Sequence, residues 1–165
     1  ALVVELGAEM LVLGNQADNI EAGRSRIKQV LENGQALEKF IAVIKAQGGD
    51  TNIINDYKLL PQAKTQTPLL AQTSGFLTQM DTFDLGNATV MLGGGRQKTT
   101  DTIDPAVGIE MKVRLGDHVK VGQPLCVIHS SGLGEEDAKS LILNALKINN
   151  DSIDPPALFG PRITL

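Results

Sequence analysis

The sequence predicts an α+β chain, a short run of helices followed by a strand-and-helix module. Three observations carry this. Apolar residues recur at helical spacing over the first 47 residues, broken only at Gly14-Asn15, Asn33-Gly34 and Gly48-Gly49. From about residue 68, short apolar runs alternate with turn formers. Residues 134–147 then return to a helical period.

Taken in order, residues 1–14 are mostly apolar and stop at Gly14-Asn15. That suits a buried helix ended by a glycine free to take positive φ. Asp18 or Asn19 can cap a second helix, whose Ile20, Ile27, Val30 and Leu31 share a face before Asn33-Gly34 ends it. Leu37, Phe40, Ile41 and Ile44 form the stripe of a third, stopped by Gly48-Gly49-Asp50. Residues 48–67 carry turn formers and read as a connector, with Leu59, Leu60 and Pro61 pinning it to something. Pro68–Ala71 and Phe76–Met80 are strand-like around Ser74-Gly75. Asp81 to Leu92 reads as a helix capped by Asp81 or Thr82, with Leu85, Ala88, Thr89 and Leu92 on one face and Gly93-Gly94-Gly95 at its end. Val107–Met111 and Leu125–Ile128 are short strands. In the last helix, 134–147, Ala138, Leu141, Ile142 and Ala145 face inward and Glu135, Glu136 and Lys139 outward. The prolines of Pro155-Pro156 make the tail extended, ending in an edge strand.

Composition limits the function. The chain has 165 residues, 15 Lys and Arg against 19 Asp and Glu, and a net charge of −4. Its size fits one domain with an appendage, or two small ones. Mild acidity, no Trp and one Tyr argue against nucleic acid, which needs clustered cations and stacking platforms. No apolar stretch reaches the roughly 18–20 residues of a membrane helix. One cysteine excludes an intrachain disulfide and an all-cysteine zinc site. Cys126, inside Pro124-Leu125-Cys126-Val127-Ile128, reads as a buried, inert thiol. A reducing, cytoplasmic compartment is expected. The chain opens on Ala1 within a helical pattern, without Met, basic region or cap, and so reads as a piece of a longer protein.

Few residues carry chemistry. His118 lies in a turn and His129 follows a strand, neither at a metal-ligand spacing. His129-Ser130-Ser131 lacks the G-x-S-x-G elbow of a nucleophilic serine, and Ser131 begins the turn into the last helix. No metal site is expected. Gly93-Gly94-Gly95-Arg96 is the best anion-binding candidate, because successive glycines can expose backbone N–H groups beside a guanidinium. It matches neither a G-x-G-x-x-G nor a Walker pattern, and a helix end with a solvated arginine is the competing reading.

The string Gly116-Asp117-His118-Val119-Lys120-Val121-Gly122-Gln123-Pro124-Leu125 reads as turn, short strand, turn, strand. With Ser74-Gly75-Phe76-Leu77-Thr78 it resembles biotinyl and lipoyl carrier domains. That resemblance implies an α/β-hammerhead, barrel-sandwich-like arrangement. A carrier needs a lysine at the hairpin tip, where this chain has His129-Ser130-Ser131-Gly132, and Lys112 lies on the wrong side of Gly116-Asp117.

A wider set of strings occurs in order: Leu6-Gly7-Ala8-Glu9-Met10-Leu11, Gly34-Gln35-Ala36-Leu37-Glu38-Lys39-Phe40, Ala46-Gln47-Gly48-Gly49-Asp50, Leu60-Pro61-Gln62-Ala63-Lys64, Leu92-Gly93-Gly94-Gly95-Arg96, Ile103-Asp104-Pro105-Ala106-Val107-Gly108-Ile109, Gly116-Asp117-His118-Val119 and Ile128-His129-Ser130. Together they resemble the pyrimidine nucleoside phosphorylases, thymidine phosphorylase included. The resemblance implies a C-terminal part of such an enzyme: helices 1–47 from the end of the α/β domain, a connector 48–67, and a hammerhead module 68–165. It implies a homodimeric parent that splits a pyrimidine nucleoside with phosphate, its co-substrate, into free base and pentose 1-phosphate. No cofactor is expected in this chain. Its partners would be the parent's preceding helical and α/β segments.

The same resemblance assigns phosphate binding to a Gly-rich loop with lysine and serine, and base reading to an arginine and a Ser-x-x-x-Lys pair. Residues 1–165 match none of these, and Arg24-Ser25-Arg26-Ile27-Lys28 belongs to a charged helix face. No catalytic residue is therefore expected here, and the chain alone is expected to be inactive. Gly94, Gly95 and Arg96 resemble a loop at the cleft lip that orders on closure. A non-catalytic carrier-like or protein-interaction module is the alternative, with apolar surface at residues 1–13 uncovered.

Overall fold

A computed structural model describes residues 1–161 and residue 163. The chain forms two compact units, one from Ala1–Leu59 with described residues after Ala157, the other Leu60–Ala157.

The first unit holds three helices, α1 (Leu2–Leu13), α2 (Ile20–Glu32) and α3 (Gln35–Ala46), then 3-10 turns at Thr51–Ile54 and Tyr57–Leu59. Asn19 caps α2, its side chain accepting from the Ala22 N–H. Small residues let α1 and α2 meet closely: a Cβ on Gly23 would lie 2.9 Å from the Ala8 carbonyl oxygen. Arg24 of α2 grips Glu5 of α1 with Nε and Nη2, at 2.9 and 2.6 Å. The expected burial of α1 is not met. Ala8 is its one buried residue, while Leu6, Met10 and Leu13 are exposed. Its apolar residues occur all round, and a single neighbouring helix covers one side. Leu59 and Leu60 are likewise exposed, so they do not pin the connector.

The second unit is built on two three-stranded antiparallel sheets. The strands are β1 (Thr65–Leu70), β2 (Gly75–Met80), β3 (Gly108–Met111), β4 (His118–Val119), β5 (Pro124–Ser130) and β6 (Leu146–Asn149). One sheet has the order β1-β5-β3, the other β4-β2-β6. Thr65 pairs with Ser130 and Gly108 with His129 in the first; Gly75 pairs with Val119 and Phe76 with Asn149 in the second. Helices α4 (Thr82–Thr89) and α5 (Glu135–Ala145) complete the layer. The core joins Leu77, Val119, Leu125, Cys126 and Ile128 of the strands to Ala88, Leu92, Ala138 and Ile142 of the helical segments. Each fully buried Leu or Ile side chain contributes about 1.5–3 kcal/mol through lost water contact.

The glycines of the turn-strand string sit where the backbone bends, Gly116 at φ 92° and Gly122 at φ 80°. Other expectations need correction. The first strand starts at Thr65, three residues ahead of Pro68, because β5 offers partners as far as Ser130. The last helix stops at Ala145, and residues 146–149 become β6, since the open edge of β2 takes Leu146, Lys147 and Ile148 into a ladder. Glu135 and Lys139 are not solvated outward groups. Their side chains are 20 and 24 % exposed and pair at 3.1 Å. No strand occurs among the described residues after Asn149, so the tail's edge strand is absent there, while Arg162, Thr164 and Leu165 lie outside the described residues.

Candidate functional site

The Gly93–Arg96 segment follows from how α4 ends. Asp81 caps the helix, accepting from the Phe83 and Asp84 N–H groups at 3.0 and 3.2 Å. After Thr89 the coil widens into a single broad turn, Val90–Gly94, which Gly93 leaves at φ 95°. The sequence suggested one regular helix to Leu92; the widening lets Leu92 reach the core while the chain turns away. Gly94 and Gly95 are packed against the helix end. A Cβ on Gly94 would lie 2.9 Å from Thr89 Cγ2, and one on Gly95 2.7 Å from Val90 Cγ2. Close approach to the helix end therefore favours glycine at both positions. Arg96 is exposed, with no ion pair among the described residues.

Beyond Arg96 the chain makes a short excursion and comes back. The Asp104 N–H donates to the Gly93 carbonyl at 2.9 Å, so the loop's two ends meet. Within it, the Asp101 carboxylate accepts from the Gln97 and Lys98 N–H groups at 3.0 and 2.8 Å. At its base, Asp104 Oδ1 accepts from the Ala106 N–H at 2.9 Å. The Ser131 hydroxyl, that N–H and the nearby Lys64 ammonium hold the Asp104 carboxyl below its ordinary range. Under the loop lies a groove of about 380 Å³, with Met91 and Leu133 among its apolar walls and Gln97, Asp101, Thr102 and Asp137 among its polar ones. Gly134, at φ 57°, closes the groove's end against the Met91 carbonyl.

The other candidates stay apart from this loop. Cys126 is fully buried, and burial pushes its thiol up to about 11, which makes it inert. His118 sits edge-on to Phe76, ring centroids 4.9 Å apart. His129 Nε2 lies 3.8 Å from Glu110, a surface pair. Ser130 is fully buried and its Oγ accepts from the Gly132 N–H, a turn role. Among the described residues no cluster of three or more His, Cys, Asp or Glu could hold a metal. No helix there is long and apolar enough to cross a membrane. Asp101, Asp104 and Ser131 were not singled out from the sequence for the loop. The Asp-Pro at 104–105 was the available signal, since an aspartate before a proline marks a turn.

Residues 76–149 match the family model described as the pyrimidine nucleoside phosphorylase C-terminal domain. The chain carries the C-terminal domain of the pyrimidine nucleoside phosphorylases. It is 38% identical over 154 residues to the pyrimidine-nucleoside phosphorylase of Staphylococcus aureus (strain bovine RF122 / ET3-1), covering 93% of this chain. The Staphylococcus haemolyticus (strain JCSC1435) enzyme of the same name gives the same identity and coverage. The chain spans 36% of the length of each of these relatives. The Arg96 loop, both sheets and α5 fall inside the matched pyrimidine nucleoside phosphorylase domain, apart from β1.

Proposed function

We propose that this chain supplies the C-terminal part of a cytoplasmic, homodimeric pyrimidine nucleoside phosphorylase, and that within it the Leu60–Ala157 unit scaffolds and closes the active-site cleft. The overall reaction takes a pyrimidine nucleoside and phosphate to free base and pentose 1-phosphate. Phosphate forms a bond to the anomeric carbon as the bond to the base breaks. Such a reaction is driven mainly by positioning and charge stabilisation, in a site from which closure expels water. The phosphate- and base-gripping motifs implied by the family resemblance have no match in 1–165, so the chain alone is inactive. Arg96 is the residue offered to the cleft lip. A hammerhead-like arrangement of the two sheets belongs to the same reading.

The observation carrying this is the 38% identity over 93% of the chain to enzymes of that name. A carrier role is disfavoured because β5 runs straight into Ser131-Gly132, without a lysine at the turn. The test is phosphate-dependent release of uracil or thymine from uridine or thymidine. It is run on this chain alone and on a chimera joining the rest of the Staphylococcus aureus relative to it. Activity in the chimera alone supports the reading. Activity in the isolated chain overturns its inactivity, and a folded but inactive chimera overturns the assignment. Arg96→Ala in the active chimera is expected to lower kcat/KM, and an unchanged value removes the lip role.

A further inference from the structure

The groove beneath the 96–103 loop has a chemistry opposite to that of the motif beside it. Glycines running into an arginine read as a cradle for anions, yet the groove presents carboxylates. Asp101 lines it from the loop and Asp137 from the first turn of α5. Its lining contains no Lys, Arg or His among the described residues. Arg96 and Lys98 belong to the same loop but are exposed and outside that lining. Asp137 makes no ion pair and no side-chain hydrogen bond among the described residues. Asp101 commits Oδ2 to the Gln97 and Lys98 N–H groups, and no hydrogen bond among the described residues engages its Oδ1. The same groove carries apolar surface from Met91 and Leu133, the latter 64% exposed.

These features select among ligands. An anion meets two like charges. A flat aromatic cation finds no ring to stack on, since no Phe or Tyr lines the groove among the described residues. A bare metal ion lacks the cluster of three or more oxygen or imidazole ligands it needs. An aliphatic amine satisfies both halves of the lining, with methylenes on apolar side chains and ammonium groups on carboxylates. Two carboxylates from separate segments of the chain call for two ammonium groups on one alkyl chain. The volume of about 380 Å³ is that of a small-molecule site. We propose that this groove binds an aliphatic di- or polyamine, its ammonium groups paired with Asp101 and Asp137 and its methylene chain laid on Met91 and Leu133. The site does not depend on the phosphorylase reading, and its test involves no turnover.

The test is titration of the whole chain with spermidine at low ionic strength, followed by the amide NMR shifts of Gly95, Gln97, Thr102 and Gly134. Saturable shifts at these amides are expected, and they should weaken as salt is added. Asp101→Asn keeps a carbonyl acceptor for the loop N–H groups while removing the charge, and Asp137→Asn removes the other charge. Each should lower the affinity about fivefold, the upper range for a partly exposed ion pair. Leu133→Ser should weaken binding too, through lost apolar contact. Glu38→Gln on α3 removes a carboxylate far along the chain and should change nothing, which separates the groove from diffuse attraction to a chain of net charge −4. Putrescine should bind more tightly than butylamine, which has one ammonium group. Absence of shifts at the four amides, or equal weakening by Glu38→Gln and Asp101→Asn, overturns the site. Equal binding of magnesium chloride or of inorganic phosphate at these amides overturns the assignment to an aliphatic amine.

Discussion

Replacing Gly134 by alanine tests a single contact in the groove. Two costs arise. An L-residue at φ 57° pays roughly 1–2 kcal/mol for left-handed backbone. The new Cβ also collides with the Met91 carbonyl oxygen, which is backbone and has no rotamer to retreat into. Overpacking of this kind costs typically about 1–3 kcal/mol. The sum is roughly 2–5 kcal/mol for Gly134→Ala. Gly122→Ala is the control, because Gly122 has φ 80° and nothing within 4 Å of a built Cβ. It should lose only the roughly 1–2 kcal/mol of backbone cost. Native-state hydrogen exchange at the amides of Ile128 and Ile142, both fully buried in the core, reads the stability of this unit directly. Exchange in Gly134→Ala should exceed that in Gly122→Ala by at least about fivefold, the equivalent of about 1 kcal/mol. Equal exchange in the two variants would refute the argument that the Met91 carbonyl is what demands glycine there.

Other outcomes follow from the same geometry. Cys126, with its thiol at about 11 and no exposed surface, should stay unreacted with a thiol reagent at pH 8 and react at once in denaturant; fast reaction of the native chain would place it outside the core. The Lys139 ammonium, then the Thr67 and Ser130 hydroxyls, hold the Glu135 carboxyl below its usual 4.5. Its folded value is depressed, so its contribution is complete above the ordinary range and is lost as pH falls through the folded value. Glu135→Gln should therefore flatten the acid side of a plot of Tm against pH, and parallel curves would contradict this. Asp81→Ala removes the cap of α4 and should cost about 1 kcal/mol in chemical denaturation; a change under about 0.3 kcal/mol would show that the cap is redundant.

Much of the architecture is legible in the residues because local signals agree with one another. Asn19 and Asp81 cap the helices they precede, and Gly116 and Gly122 mark bends that only glycine takes easily. What escapes the sequence depends on partners far along the chain. Leu146-Lys147-Ile148 continues an apolar helical pattern, and only the open edge of β2 makes it a strand. Glu135 looks like a surface charge until Thr67, brought in by β1, donates to it at 2.9 Å. At the loop the sequence singles out Gly94, Gly95 and Arg96 as one motif. The structure divides it into two glycines wedged against a helix and one exposed arginine, and the residues that hold the loop, Asp101 and Asp104, lie further on.

The strand order has a consequence for synthesis on the ribosome. Every strand pair in the second unit joins sequence-distant segments: Thr65 waits for Ser130, and Phe76 waits for both His118 and Asn149. The middle strand of the first sheet, β5, is among the last to be made. A nascent chain that has emerged only as far as Gly122 has two would-be edge strands, β1 and β3, with nothing between them. The first sheet cannot close until translation has passed Ser130, nor the second until it has passed Asn149. Loop-closure entropy is then met late, at the end of the unit rather than along it, which predicts a slow condensation. Until that moment the exposed strands are the part of the molecule that most needs a chaperone.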